Sequence, residues 1–215
     1  MTAKTIATAR KFKPLLFILL LCPALWMLYQ AVFAQQLLGA DPAKSLVDQS
    51  GLWAIKSILL ALAMTPLRIL TKQTFFIIFR RMTGLFAFFY ALVHFLIYSI
   101  LLLGLDLSQL GNELTQRPYI IVGFTALLLY VPLAITSTHG WQLRLKRNWV
   151  RLHKLVYVIG ILAVIHMTWL KKLGLTTTWP YALTLVVLFG IRILYSMNNK
   201  RKAQHKKQHT QSKRC

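Results

Sequence analysis

Apolar segments of about 20 residues recur along the 215-residue chain, and this feature constrains the fold most. A helix of about 20 residues spans the roughly 30 Å hydrocarbon core of a bilayer. No segment alternates apolar and polar residues over about 10 positions, as a membrane β-strand would. We therefore predict an all-α integral membrane protein built as a bundle of six transmembrane helices. They are expected over residues 15–38, 52–70, 82–103, 118–136, 150–170 and 179–197.

The distribution of charge predicts the topology of the bundle. The chain has 26 Lys and Arg against 4 Asp and Glu, and only 14% of its residues are charged, compared with roughly 25% in soluble domains. Basic residues cluster in every second loop and at both ends, apart from Lys171 and Lys172, whereas the acids lie in residues 41–50 and 106–117. The positive-inside rule then places both termini in the cytoplasm. These clusters form no patch interleaved with aromatic residues, so nucleic-acid binding is not expected.

The chain is expected to form one transmembrane domain, residues 15–197, between two basic cytoplasmic segments. Residues 1–14 form the first of these, and residues 198–215 are predicted to be a disordered tail near lipid. The first apolar run is too long for the 7–15 residues of a signal-peptide core, so we expect it to be retained. Pro66 is expected to kink or end the second helix. No C-x-x-C or C-x-x-C-H motif indicates a metal pair or a covalently attached haem.

Three histidines lie within the third and fifth apolar segments: His94, His153 and His166. An ionisable side chain inside a membrane is costly, so each is a candidate functional residue. A single histidine in such a position is also commonly only an interhelical hydrogen-bond donor. The other three histidines, which lie in polar segments, are assigned no role: His139, His205 and His209.

The heights of the histidines suggest a pairing. His94 lies 13 residues after Arg81, and His166 lies 13 residues after His153, on two helices predicted to run outward. Each separation corresponds to a rise of about 20 Å. We therefore expect His94 and His166 at similar heights in the outer half of the membrane. Two facing imidazoles on neighbouring helices could ligate a haem iron axially.

The inner end of the bundle is less determined by the sequence. Thirteen residues leave His153 and His166 about 140° apart in azimuth on a straight helix. Either Gly160 bends the helix, which would also let a flat macrocycle approach the backbone, or His153 serves a different site. Arg80, about 40° from the face of the third-helix histidine, could pair with a haem propionate or a flavin phosphate. Arg80 and Arg81 could equally be positive-inside charges.

Several stretches, in order, resemble the MsrQ family (also called YedZ), haem-binding membrane subunits of bacterial periplasmic methionine sulfoxide reductase systems. The run Arg-Leu-His-Lys-Leu-Val-Tyr over residues 151–157 is the most specific of them. The wider group is the ferric-reductase-like transmembrane domain, which eukaryotic NADPH oxidases share. The other similar stretches are residues 65–68, 80–85, 117–119 and 133–137 and the helix that carries His94.

The resemblance implies a multi-pass protein of the bacterial inner membrane that carries electrons on haem b. It implies electrons from the quinone pool or a cytosolic flavin reductase, and delivery to a periplasmic molybdopterin subunit, MsrP, which reduces protein-bound methionine sulfoxide. The chain itself would have no catalytic residue for that final substrate. FMN is also implied as a cofactor.

By the same resemblance, His94 and His166 would be the axial ligands of the haem iron, and His153 would belong to a second, inner site. Relatives with two stacked haems carry two histidines on each of the two helices. This sequence has Arg80 and Arg81 where the inner partner on the third helix would be. One haem or two are therefore both open, and the inner site could instead hold a flavin.

Three other functions are consistent with parts of the pattern. A proton-coupled transporter would use the intramembrane histidines as a proton relay. A non-catalytic membrane anchor for a periplasmic enzyme would need none of them. A ferric reductase of the same superfamily would need a nicotinamide-binding module, and these 215 residues contain no motif for one.

Overall fold

The computed structural model describes residues 3–170 and 175–212, and no strand occurs within them. Six helical segments in this part of the chain are long and apolar enough to cross a membrane. The all-α, multi-pass membrane architecture is therefore confirmed. The helices are α1 (Ala3–Phe33), α2 (Pro42–Thr71), α3 (Phe75–Ile97), α4 (Leu107–Gln116), α5 (Pro118–Ile135), α6 (His139–Leu145), α7 (Arg147–Leu152), α8 (Leu155–Leu170) and α9 (Leu175–Ser212). A 3-10 turn, Gln35–Leu38, follows α1, and a π-helical turn, Tyr98–Leu102, extends α3.

Local signals in the sequence fix several helix ends. The Asp41 carboxylate accepts a hydrogen bond from the backbone N–H of Lys44 and caps α2, which has Pro42 in its first turn. Asp106 caps α4 in the same way through the backbone N–H of Ser108. Lys72 ends α2 in the left-handed conformation, with φ of 58°.

The bundle is organised as two helix pairs held together by α9. The first pair is α2 with α3 and the second is α5 with α8, while α9 packs on α2 and α8 and α1 packs on α3 and α2. The main core lies where α2, α5, α8 and α9 meet, around Leu62, Tyr130 and Ile159. Large apolar side chains on the outside, such as Phe33 at 75% exposed, are available to lipid.

Pro66 does not end the second helix, because α2 continues to Thr71. A proline inside a helix has no N–H, so the carbonyl of Leu62, four residues earlier, loses its helical donor. The Arg192 guanidinium of α9 donates a hydrogen bond to that carbonyl. The sequence analysis missed this tertiary replacement of the lost bond.

Other helix boundaries also differ from the prediction. Helix α4 occupies a segment expected to be a loop, and the fifth transmembrane segment breaks between α7 and α8. Helix α9 runs through the basic segment that was expected to be disordered, as far as Ser212. Lys, Arg, Gln and Ala are good helix formers, and extending an existing helix requires no new nucleus. Lys171 and Lys172, and the last three residues, lie outside the described residues.

Candidate functional site

His94 of α3 and His166 of α8 meet inside the bundle. Their ring centroids are 6.3 Å apart and the ring planes make an angle of 74°. Both rings line a cavity of about 750 Å³, which we call the outer cavity because the acidic segments lie around it. This volume is in the usual range for small-molecule and cofactor sites. Its wall comes mainly from α2, α3, α5 and α8 and is mostly apolar.

Each of these imidazoles is oriented by a backbone carbonyl on a neighbouring helix. His94 Nδ1 lies 3.0 Å from the Val47 carbonyl oxygen, and His166 Nδ1 lies 2.6 Å from the Tyr119 carbonyl oxygen. A carbonyl only accepts, so Nδ1 carries the proton in both rings and Nε2 keeps its lone pair. Histidines that bind metals commonly have this arrangement, in which a second-shell carbonyl sets the tautomer and the ring orientation.

Two glycines leave the space that the rings occupy. A Cβ at Gly51 would lie 3.0 Å from His94 Cε1, and a Cβ at Gly123 would lie 2.7 Å from His166 Cε1. Each glycine lies one helical turn after the residue whose carbonyl binds the ring, on the same helix face. The sequence analysis missed both glycines.

The two halves of the outer cavity form an internal repeat. Each histidine follows its carbonyl partner by 47 residues. The pairs Val47 and Tyr119, Gly51 and Gly123, and His94 and His166 are all separated by 72 residues. The pair α2–α3 therefore corresponds to the pair α5–α8, with the same chain direction. The equal glycine-to-histidine spacing was visible in the sequence and could have revealed both glycines.

Polar groups from α4 and its neighbours line the mouth of the outer cavity. Tyr98 Oη donates to Glu113 Oε2 over 3.0 Å, and Arg117 Nε lies 3.1 Å from the same oxygen. Arg117 also donates to Tyr119 Oη over 3.2 Å. This bond, followed by the Glu113 charge, raises the pKa of the Arg117 guanidinium. The network ties α4 to α3 and to the start of α5, whose carbonyl orients His166.

His153, Arg80 and Arg81 lie together at a second cavity of about 310 Å³, which we call the inner cavity. The His153 ring stacks on Trp149 with centroids 3.9 Å apart and planes at 26°, and its Nδ1 lies 3.1 Å from the Trp149 carbonyl oxygen. Among the described residues that line this cavity, His153 is the only histidine. Arg192 of α9 also lines it and was missed by the sequence analysis.

The expected roles of Gly160 are not found in the structure. His153 lies at the break between α7 and α8, so the straight helix that put it about 140° from His166 does not exist. Gly160 lines neither cavity. A Cβ there would lie 3.0 Å from Leu62 Cδ1, so Gly160 allows α8 to approach α2. His139 begins α6 and also lines neither cavity. The side chains of His205 and His209 lie outside the described part of the chain.

The two cavities share one wall residue. Tyr130, which is 4% exposed, lines both of them. Its hydroxyl donates to the Gly84 carbonyl over 3.1 Å and so fixes the ring between α5 and α3. A single side chain therefore separates the His94–His166 pair from the basic inner cavity.

Comparison with known proteins identifies the family. Residues 50–164 match the family model described as ferric reductase like transmembrane component. The chain is 48% identical to the protein-methionine-sulfoxide reductase heme-binding subunit MsrQ of Xanthomonas euvesicatoria pv. vesicatoria, over 93% of this chain and 89% of that protein. It is 39% identical to the MsrQ of Polaromonas naphthalenivorans, over 84% and 83% of the two chains. No solved structure matches the chain significantly. A ferric-reductase-like transmembrane component and close relatives along most of its length thus show that the chain belongs to the MsrQ family.

Proposed function

We propose that this chain is a haem b-binding, transmembrane electron-transfer subunit of a protein-methionine-sulfoxide reductase system. The observation that carries the proposal is the pair of imidazoles, His94 and His166, opposed across a cavity inside a membrane-spanning bundle. The relatives are named as heme-binding subunits of such a system, which agrees with this geometry.

The residues of the outer cavity fit a haem held by two histidines. Since an imidazole nitrogen binds a first-row metal at about 2.0 Å, one iron between two opposed rings separates their centroids by roughly 6 Å. The observed separation is 6.3 Å. Both Nε2 atoms keep a free lone pair, and the two glycines leave room for the rings. When bound, haem would supply reversible one-electron chemistry. The chain would hold the axial ligands in a fixed tautomer and exclude water.

The inner cavity is the proposed point at which reducing equivalents arrive. Arg80, Arg81 and His153 line it, and Tyr130 alone separates it from the outer cavity. A second haem with His153 as one ligand, or FMN, is proposed there. The donor is proposed to be the quinone pool or a cytosolic flavin reductase. The acceptor is proposed to be a periplasmic, molybdopterin-containing subunit similar to MsrP.

The proposed location is the bacterial inner membrane, with both termini in the cytoplasm. The basic loops and the basic end of α9 would then lie against the anionic cytoplasmic leaflet. The four acidic residues would lie on the periplasmic side, around the mouth of the outer cavity.

A reduced-minus-oxidised visible spectrum of the purified protein tests the proposal. We expect a low-spin b-type signal that His94→Ala and His166→Ala each abolish, because each removes one axial ligand. His139→Ala is the matched control and should keep the full signal, since His139 lines neither cavity. Circular dichroism and size-exclusion profiles show whether each variant is folded. A full signal in both cavity variants would refute the ligand assignment, and no signal in the wild type after expression with ample haem would refute the function.

A further inference from the structure

The inner cavity gathers positive charge with no acidic side chain to balance it. Arg80 and Arg81 reach it from α3, and Arg192 reaches it from α9. Of the four acidic residues in the sequence, Asp41 and Asp48 line the outer cavity, Asp106 caps α4, and Glu113 bonds Tyr98 and Arg117. No acidic residue is therefore left to neutralise the three guanidinium groups at the other cavity.

Arg192 is the most informative of the three arginines because it lies within a membrane-spanning segment, Thr177–Gln204. Its guanidinium donates to the Tyr157 hydroxyl and to the Leu62 carbonyl, and its central carbon is 5.0 Å from the Tyr157 ring centroid. These neutral partners satisfy hydrogen bonds and leave the charge uncompensated. The Arg192 Nε is buried and has no hydrogen-bond partner. A cation in this setting is costly unless an anion accompanies it.

The opposite wall of the inner cavity is aromatic. The stacked rings of Trp149 and His153 form a flat surface there. The volume of about 310 Å³ is at the low end for small-molecule sites, so it accommodates one flat ring or one headgroup beside the arginines. Guanidinium groups bind phosphate oxygens with paired, charge-assisted hydrogen bonds.

We propose that the inner cavity binds a phosphate group, held by Arg192 together with Arg80 and Arg81. The phosphate can be carried by a flavin mononucleotide or by an anionic phospholipid, and both present the same chemistry to the arginines. The inference deepens the proposed function by assigning the ligand class of the inner cavity and a binding residue on α9. It does not depend on haem at the outer cavity.

Binding of FMN and of riboflavin to the purified protein in a neutral detergent tests the phosphate site. The two probes share the flavin ring and differ in the phosphate. We expect the wild type to prefer FMN by roughly tenfold or more, because hydrogen bonds to charged groups are the strong ones. Arg192→Gln should remove most of this preference, whereas Arg192→Lys should retain part of it. The glutamine amide can still donate to the Leu62 carbonyl, so the fold should be kept.

Arg147→Gln is the matched control, because Arg147 begins α7 and lines neither cavity. It should leave the FMN preference unchanged. The outer haem signal and the midpoint of thermal unfolding should be close to those of the wild type in both glutamine variants. A protein without a haem signal that still prefers FMN would overturn the proposed function and support the phosphate site.

Nanodiscs distinguish the lipid source of phosphate. If the occupant is a phospholipid, phosphatidylglycerol should raise the unfolding midpoint more than phosphatidylcholine does, and Arg192→Gln should remove that difference. In this case FMN and riboflavin should bind alike, and the proposal stands with lipid as the ligand. If neither the flavin difference nor the lipid difference depends on Arg192, the proposal is wrong.

Discussion

Gly51 and Gly123 lie in equivalent positions against the two imidazoles of the outer cavity. A Cβ at either glycine would meet the Cε1 atom of a histidine, at 3.0 Å and 2.7 Å respectively. The ring in each case is held by the carbonyl of the residue one turn earlier. The glycines therefore set how closely each imidazole approaches the neighbouring helix, and so the gap between the two rings.

Gly123→Ala is expected to lower the haem content, because the added methyl group occupies the place of the His166 ring. A shift that restores van der Waals contact would stretch the Tyr119 hydrogen bond and turn Nε2. Gly51→Ala should have a smaller effect, since its contact is longer and Cε1 is at the far end of a side chain. The haem-to-protein ratio and the low-spin electron paramagnetic resonance signal measure both effects.

The control for these substitutions is Gly190→Ala in α9. Nothing lies within 4 Å of a Cβ built there. Alanine inside a helix is usually more stable than glycine by about 0.5–1 kcal/mol, so this variant should keep its haem and its stability. Equal haem content in all three variants would contradict the positioning role of Gly51 and Gly123.

The fold was largely predictable because length and hydropathy decide which segments cross a membrane. The placement of His94 and His166 at one height also followed from the fixed rise of a helix. The break beside His153 was not predictable in the same way, since the run of apolar residues continues across it. Arg192 was missed because its hydrogen-bond partners, Leu62 and Tyr157, are distant in the sequence.

Asp106 should make the stability of α4 depend on pH. The Ser108 hydroxyl, followed by the backbone N–H groups of Ser108 and Gln109, lowers the pKa of this carboxyl below its ordinary value of 3.8. A group whose pKa is depressed in the folded state stabilises that state above its unfolded pKa. This contribution is lost as the pH falls through the lower, folded value. Hydrogen exchange of the α4 amides should therefore accelerate below about pH 4.

Asp106→Asn is the matched variant for this measurement. Asparagine still caps a helix, but it does not titrate. Exchange of the α4 amides should then be insensitive to acid over the same range, after correction for the intrinsic exchange rate. An unchanged acid response in this variant would assign the effect to another group.

Tyr130→Phe should destabilise the bundle without releasing the outer haem. The substitution removes the hydrogen bond to the Gly84 carbonyl, which joins α5 to α3, and keeps the ring between the cavities. The expected loss is about 1 kcal/mol in the free energy of unfolding. Tyr195→Phe is the control, because Tyr195 is 40% exposed. A haem content that falls with Tyr130→Phe would mean that the hydroxyl also serves the outer cavity.

A double-mutant cycle between Pro66 and Arg192 tests whether the arginine replaces the helical hydrogen bond that the proline removes. Arg192→Met alone leaves the Leu62 carbonyl without a donor, which should cost about 1–3 kcal/mol for a buried polar group. In a Pro66→Ala background, the restored N–H of residue 66 can donate to that carbonyl.

Arg192→Met should therefore be less destabilising in this background, with a coupling of roughly 1 kcal/mol. The lost bond to the Tyr157 hydroxyl contributes equally in both backgrounds and cancels. Pro23→Ala, in α1, is the control for relief of a helical proline, and its effect should add to that of Arg192→Met. Additivity of the Pro66 and Arg192 substitutions within about 0.5 kcal/mol, measured by reversible unfolding in detergent, would show that Arg192 is not the replacement donor.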